Sequence, residues 1–117
     1  MIILGKGLGG VIARESALKL KEIPYIFAIP YNSAEFKHGT LALLSPDPNN
    51  QTPVVLMIFD DQHLKGNLQT LEQVKSKNGM TIVVTDCKDK IDAGLMDHVV
   101  EIPSCGILTP LAAVIPM

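Results

Sequence analysis

The chain has no tryptophan, and only two tyrosines and three phenylalanines among its 117 residues. Basic residues are also sparse: ten Lys and Arg stand against twelve Asp and Glu, for a net charge of −2. Without clustered cations and stacking rings, nucleic-acid binding is not expected. No apolar run approaches the ~18 residues that a membrane span needs. The opening "MIILGKG" lacks the basic segment and the apolar length of a signal peptide. The two cysteines, Cys87 and Cys105, lack CxxC spacing and read as free thiols in a reducing compartment. His38, His63 and His98 have no ligand-like spacing with cysteines or carboxylates, so neither a metal nor any other cofactor is expected. These absences describe a domain of the cytoplasm. The tail "GILTPLAAVIPM" carries no charge. A natural end is usually polar and frayed, so the chain is expected to be a fragment of a longer protein, truncated in its last helix, or its tail to pack on something absent from the sequence.

What is present suits a packed core. The apolar share is 47%, and the length allows one domain, residues 1–117. "MIIL" reads as a buried strand, "GKGLGG" as a turn, and a helix follows to about Ile23, where Pro24 stops it. "IPYNS" reads as a connector. Asn32 with Glu35 three residues later resembles a capping box opening a short helix, which Gly39 interrupts. "SPDPNNQTP" is loop by composition. "VVLMIF" has the apolar, β-branched character of a strand covered on both faces. The next helix has Asp at its cap, Leu64, Leu68, Leu71 and Val74 on one face, and Asn78-Gly79 as its stop. "MTIVVT" and "DHVVEI" are further strands, and a last helix begins near Ile107. Strands alternating with helices predict a parallel sheet in a layered α/β domain.

Two features carry candidate chemistry. Gly5-x-Gly7-x-x-Gly10 follows a strand and opens a helix, the outline of a dinucleotide fingerprint. That motif needs an acidic residue about 20 positions on, at the end of the next strand. Here that region is helix and connector, so a tight strand-to-helix turn is the better reading. The second feature is "ARESALKLKEI". At 100° per residue, Glu15, Lys19 and Glu22 form one narrow stripe, flanked by Val11, Ile12, Leu18, Ile23 and Ile26. A Glu-Lys pair on a solvated helix face contributes only a few tenths of a kcal/mol. Apolar borders argue for more, because charges among apolar neighbours are costly to desolvate. Glu22 lies in the last turn, where the helix dipole disfavours its ionised form, as a general base requires. Lys19, one turn back, is placed to stabilise negative charge on a substrate oxygen. His38 beside Gly39 reads on its own as a histidine favourable to a helix end, and Cys87 as structural.

Taken together, "ESALKLKEIPYIFAIPYNSAEFKHGTLALL", Glu15 to Leu44, resembles one family. It is similar to the isomerase portion of glutamine–fructose-6-phosphate aminotransferases, the glucosamine 6-phosphate synthases. The match runs through Glu15, Ala17 to Glu22, Glu35, Lys37 to Gly39 and Leu41 to Leu43. "GMTIVVTD", "HVVEIP" and the tail fit more loosely, so the likeness covers nearly the whole chain.

The resemblance implies a three-layer α/β/α, flavodoxin-like sugar isomerase (SIS) domain. It implies fructose 6-phosphate or glucosamine 6-phosphate as ligand, bound between two such halves of a homodimeric enzyme. In that family Glu22 would be the base moving a proton between C1 and C2 of the sugar. Lys19 would face the developing oxyanion, and His38 would assist ring opening in the neighbouring subunit's site. Glu15 and Lys37 would support them. The first isomerase half, with its phosphate loop, and the glutaminase domain would be missing partners. Ser16, Pro24 and Thr40 depart from the family's pattern, and Pro24 bears on where Glu22 sits. Two other readings remain: a stand-alone phosphosugar isomerase or sugar-phosphate-sensing module, and a non-catalytic domain using the Gly5–Gly10 loop for a nucleotide.

Overall fold

Alternate residues of the central strands face opposite ways, and both directions are apolar. In β1 (Ile2–Gly5), Ile2 and Leu4 enter one core while Ile3 enters another. In β3 (Pro53–Ile58), Val54, Leu56 and Ile58 join Leu4, while Val55 and Met57 join Ile3. A strand apolar on both faces must be covered on both. The computed structural model, which describes residues 1–22, 25, 27–36, 44, 49 and 51–103, shows how. Helix α1 (Leu8–Glu22) lays Ile12, Ala13 and Ala17 on the Ile3 side. A four-residue turn of helix, α2 (Ser33–Phe36), and the long α3 (Leu64–Ser76) cover the other side with Phe36, Leu71 and Val74.

Among the described residues all strand pairings are parallel. Five strands run in the order β2-β1-β3-β4-β5, with β2 at Ile29–Asn32, β4 at Met80–Thr85 and β5 at His98–Glu101. This is the flavodoxin-like order, in which the chain reverses its direction of travel between β1 and β3. The three-layer expectation holds.

The connector expected at "IPYNS" is instead edge strand β2, with Ile29 opposite Ile2 and Pro30 opposite Ile3. Pro30 masked it in the sequence. A proline cannot donate to a ladder, but an edge strand has a side on which no donor is needed. The glycine turn is also shorter than expected, because α1 already begins at Leu8. Asn32 does stand immediately before α2. The Asp cap of α3 is corrected too: His63 holds the N-cap position without a side-chain bond. Asp61 Oδ1 accepts the His63 backbone N–H at 2.8 Å, shaping the turn ahead of the helix. At the other end the stop is as expected. Asn78 has φ 61°, and the Gly79 N–H donates to the Val74 carbonyl at 3.0 Å. The last helix near Ile107, together with Pro24, Gly39 and Cys105, lies outside the described residues.

Candidate functional site

Helix α1 turns small residues inward. Ala13, Ser16 and Ala17 are buried against the sheet, with Ile12 beside them. That orientation sends Glu15, Lys19 and Glu22 outward, in line with Val11 and Leu18. Val11 is 57% exposed and Leu18 46%, and Tyr25 and Phe27 beyond the helix are more exposed still. Lys19 sits between the two carboxylates: its Nζ is 3.7 Å from Glu15 Oε1 and 3.7 Å from Glu22 Oε2. The three side chains are 51%, 53% and 54% exposed in the order Glu15, Lys19, Glu22. The expected desolvation by apolar neighbours is therefore not met within this chain. Of those neighbours Val11 and Leu18 are as open to water as the charges and Ile12 is buried, while Ile23 and Ile26 lie outside the described residues.

The ion-pair distances exceed ordinary hydrogen bonds, so the ammonium is shared loosely and both carboxylates keep free lone pairs. A carboxylate able to accept a proton, one turn from an ammonium able to stabilise an oxyanion, is competent for proton transfer next to a carbonyl. Spacing alone brought these three together in the sequence, and the structure keeps them together. His38 and Lys37 lie outside the described residues. Glu35, from the same motif, is exposed on α2.

The glycine motif is explained by packing. A Cβ on Gly5 would lie 2.2 Å from the Gly9 carbonyl oxygen, and one on Gly9 would lie 3.4 Å from the Phe59 ring. Gly7 has φ +63°, and a Cβ there would meet His63 Nε2 at 2.9 Å. The glycines let strand, helix and the β3–α3 loop approach closely, as the tight-turn reading required. His63 thus leans on the β1–α1 turn, and Lys90 Nζ donates to Asp60 Oδ2 at 2.8 Å across the neighbouring loops. The crevice beyond β1 and β3, where such sheets commonly bind ligands, is furnished with the chain's own side chains. Cys87 is buried behind it, its N–H donating to Thr85 Oγ1 at 3.0 Å, and burial pushes its thiol pKa up. That fits a structural thiol rather than a nucleophile. Among the described residues no group of His, Cys, Asp and Glu is placed to hold a metal. None of the described helices is long and apolar enough to cross a membrane.

One feature was missed from the sequence. A cleft of about 290 Å³ opens between the start of α1 and β2, with Arg14 and Glu35 on its walls. It could not be foreseen while β2 was taken for a connector.

The fold has known relatives. The family model described as the SIS domain matches residues 1–107. A glutamine–fructose-6-phosphate aminotransferase (isomerizing) from Acidithiobacillus ferridurans is 38% identical over 117 residues, 99% of this chain and 18% of that protein. The Pseudomonas aeruginosa enzyme of the same name matches at 38%, over the same shares. The chain thus spans less than a fifth of these relatives. In structure it superposes with a TM-score of 0.86 on the C-terminal domain of glucosamine-fructose-6-phosphate aminotransferase from Francisella tularensis. That match is 36% identical and covers 98% of this chain and 32% of that one. Tagatose-6-phosphate ketose/aldose isomerase from Escherichia coli shares the fold, with a TM-score of 0.71 at 23% identity over 97% of this chain and 31% of that one. A parallel β2-β1-β3-β4-β5 sheet, a family model matching nearly its whole length and relatives at this level of identity place the chain in the SIS domain family.

Proposed function

We propose that this chain is an isomerase half of a cytoplasmic glutamine–fructose-6-phosphate aminotransferase, working on fructose 6-phosphate on the way to glucosamine 6-phosphate. In this reading Glu22 takes a proton from C1 of the sugar and returns it at C2. Lys19 stabilises the negative charge that develops on the intervening oxygen. Glu15 positions Lys19 from the far side. His38 opens the sugar ring from a second subunit of a homodimer, and Lys37 supports it. Nitrogen from glutamine and the grip on the phosphate come from parts of the parent protein beyond this chain.

The observation that carries the reading is the placement of Lys19, 3.7 Å from both Glu15 and Glu22, on a helix face where Val11 and Leu18 stand uncovered. Covered by a second domain, those neighbours would become the dry walls that the sequence led one to expect. The charges would then act at lower dielectric, where proton transfer and oxyanion stabilisation are most effective.

The test is isotope exchange in the full-length parent. With fructose 6-phosphate in deuterated water, the unmodified enzyme should exchange the C1/C2 hydrogen with solvent, and Glu22→Gln should not. Loss of a general base costs about 10²–10⁴-fold in kcat. KM should change little, because the phosphate grip lies elsewhere. Glu15→Gln should be milder. Full exchange and full kcat in Glu22→Gln would reduce the stripe to a salt-bridged surface.

A further inference from the structure

The cleft between α1 and β2 does not draw on the Glu15–Lys19–Glu22 stripe. Arg14 stands on one wall and Glu35 on the other, with Tyr31 and Asn32 between them and Gly7 and Gly10 at the α1 end. Arg14 and Glu35 form no ion pair with each other. Ion pairs among the described residues instead join Lys19 to Glu15 and Glu22, Lys75 to Asp97, and Lys90 to Asp60. Two opposite charges thus line one cavity without pairing directly. The glycines add room, since they place no side chain in the cleft.

This arrangement selects by charge. A simple anion would be drawn to the Arg14 guanidinium but repelled by Glu35. A simple cation would meet the reverse. A molecule carrying both signs satisfies both walls. Guanidinium forks match carboxylate and phosphate oxygens in bidentate fashion, and a carboxylate accepts well from an ammonium. A cavity of about 290 Å³ is of the size that admits a small metabolite. We propose that this cleft binds a small zwitterion, with Arg14 holding its acidic group and Glu35 its ammonium. An α-amino acid and an amino sugar phosphate share that chemistry. The site is separate from the proposed isomerase chemistry, and its test does not depend on activity.

Isothermal titration of the protein would use glycine and glucosamine 6-phosphate as zwitterionic probes. Acetate, inorganic phosphate and ethylammonium would serve as probes of one sign. At least one zwitterion should bind saturably with one site, and at least about tenfold more tightly than any single-sign probe, a difference of 1.4 kcal/mol. Arg14→Gln and Glu35→Gln, both surface changes, should each weaken it about tenfold while leaving the circular dichroism spectrum unchanged. Tighter glycine binding would identify an amino-acid site, and tighter glucosamine 6-phosphate an amino sugar phosphate site. Because the parent's isomerase site could also take glucosamine 6-phosphate, only binding that both substitutions weaken is assigned to the cleft. The proposal fails if neither zwitterion binds, if phosphate binds as tightly as the better zwitterion, or if both variants bind like the unmodified protein.

Discussion

Asp97 and Thr81 bind each other in both directions: the Asp97 N–H donates to Thr81 Oγ1 at 3.0 Å, and Asp97 Oδ2 accepts the Thr81 N–H at 2.9 Å. Lys75 Nζ donates to the other Asp97 oxygen, and Thr81 Oγ1 donates to the Leu95 carbonyl at 2.7 Å. One carboxylate thereby ties α3, β4 and the approach to β5 together. The hydrogen bond from Lys75, aided by those from Thr81, holds the Asp97 pKa below the ordinary value of 3.8. A depressed folded-state value means that the ionised form stabilises the fold above the unfolded value. That stabilisation is lost as pH falls below 3.8 and through the folded value. Asp97→Asn should therefore cost about 1 kcal/mol at pH 7. The gap from the unmodified protein should narrow toward pH 3, as followed by urea unfolding at each pH. An equal gap at both pH values would mean that charge plays no part.

Gly5 offers a steric test. Because its Cβ would strike the backbone of Gly9 at 2.2 Å, Gly5→Ala must displace the start of α1. A cost of about 1–3 kcal/mol is expected, as for other overpacked sites. At Gly10 the nearest such atom is 3.4 Å away, so Gly10→Ala should be much milder. Thermal melts of the two variants should separate clearly.

The 117-residue chain alone should not convert fructose 6-phosphate and glutamine to glucosamine 6-phosphate. A phosphate grip and a nitrogen source are both needed, and the relatives it matches are more than five times as long. A coupled assay showing product from this chain alone would overturn the fragment reading.

The outer face of α1 should be adhesive in the isolated chain. Val11, Leu18, Tyr25 and Phe27 are all exposed on or near it, and apolar surface gathered in this way marks interfaces. Sedimentation should show concentration-dependent association and dye-binding assays an accessible apolar surface. Leu18→Ser combined with Phe27→Ser should reduce both. A monomer that ignores the dye would contradict this.

The parts of the fold that could be read in advance are those where composition and geometry agree. β1, β3 and β4 are apolar on both faces, so no choice of facing was required, and α3 announced itself through Leu64, Leu68, Leu71 and Val74. β2 hid because Pro30 breaks strand patterning, and only its position at the sheet edge makes that harmless. In α1 the spacing located Glu15, Lys19 and Glu22 but not the side facing the sheet. Alanines and a serine do not look like a buried face. They become one because small residues let the helix approach the strands closely. Arg14 and Glu35 sit 21 positions apart in the sequence, and their shared cleft exists only once β2 is in place.

The inner face of α1 has one further consequence. Among the described side chains of α1, Ile12 is the only large one that is buried, since Ala13, Ser16 and Ala17 supply little apolar area. β3, by contrast, buries Val54, Leu56, Met57 and Ile58 almost completely. Helix α1 is held close to the sheet with little area to anchor it, so its amides should exchange with solvent through smaller, more frequent openings than those of β3. A helix seated this lightly gains most from being pressed by a neighbour on its outer side. Its order would then report on whether that neighbour is present.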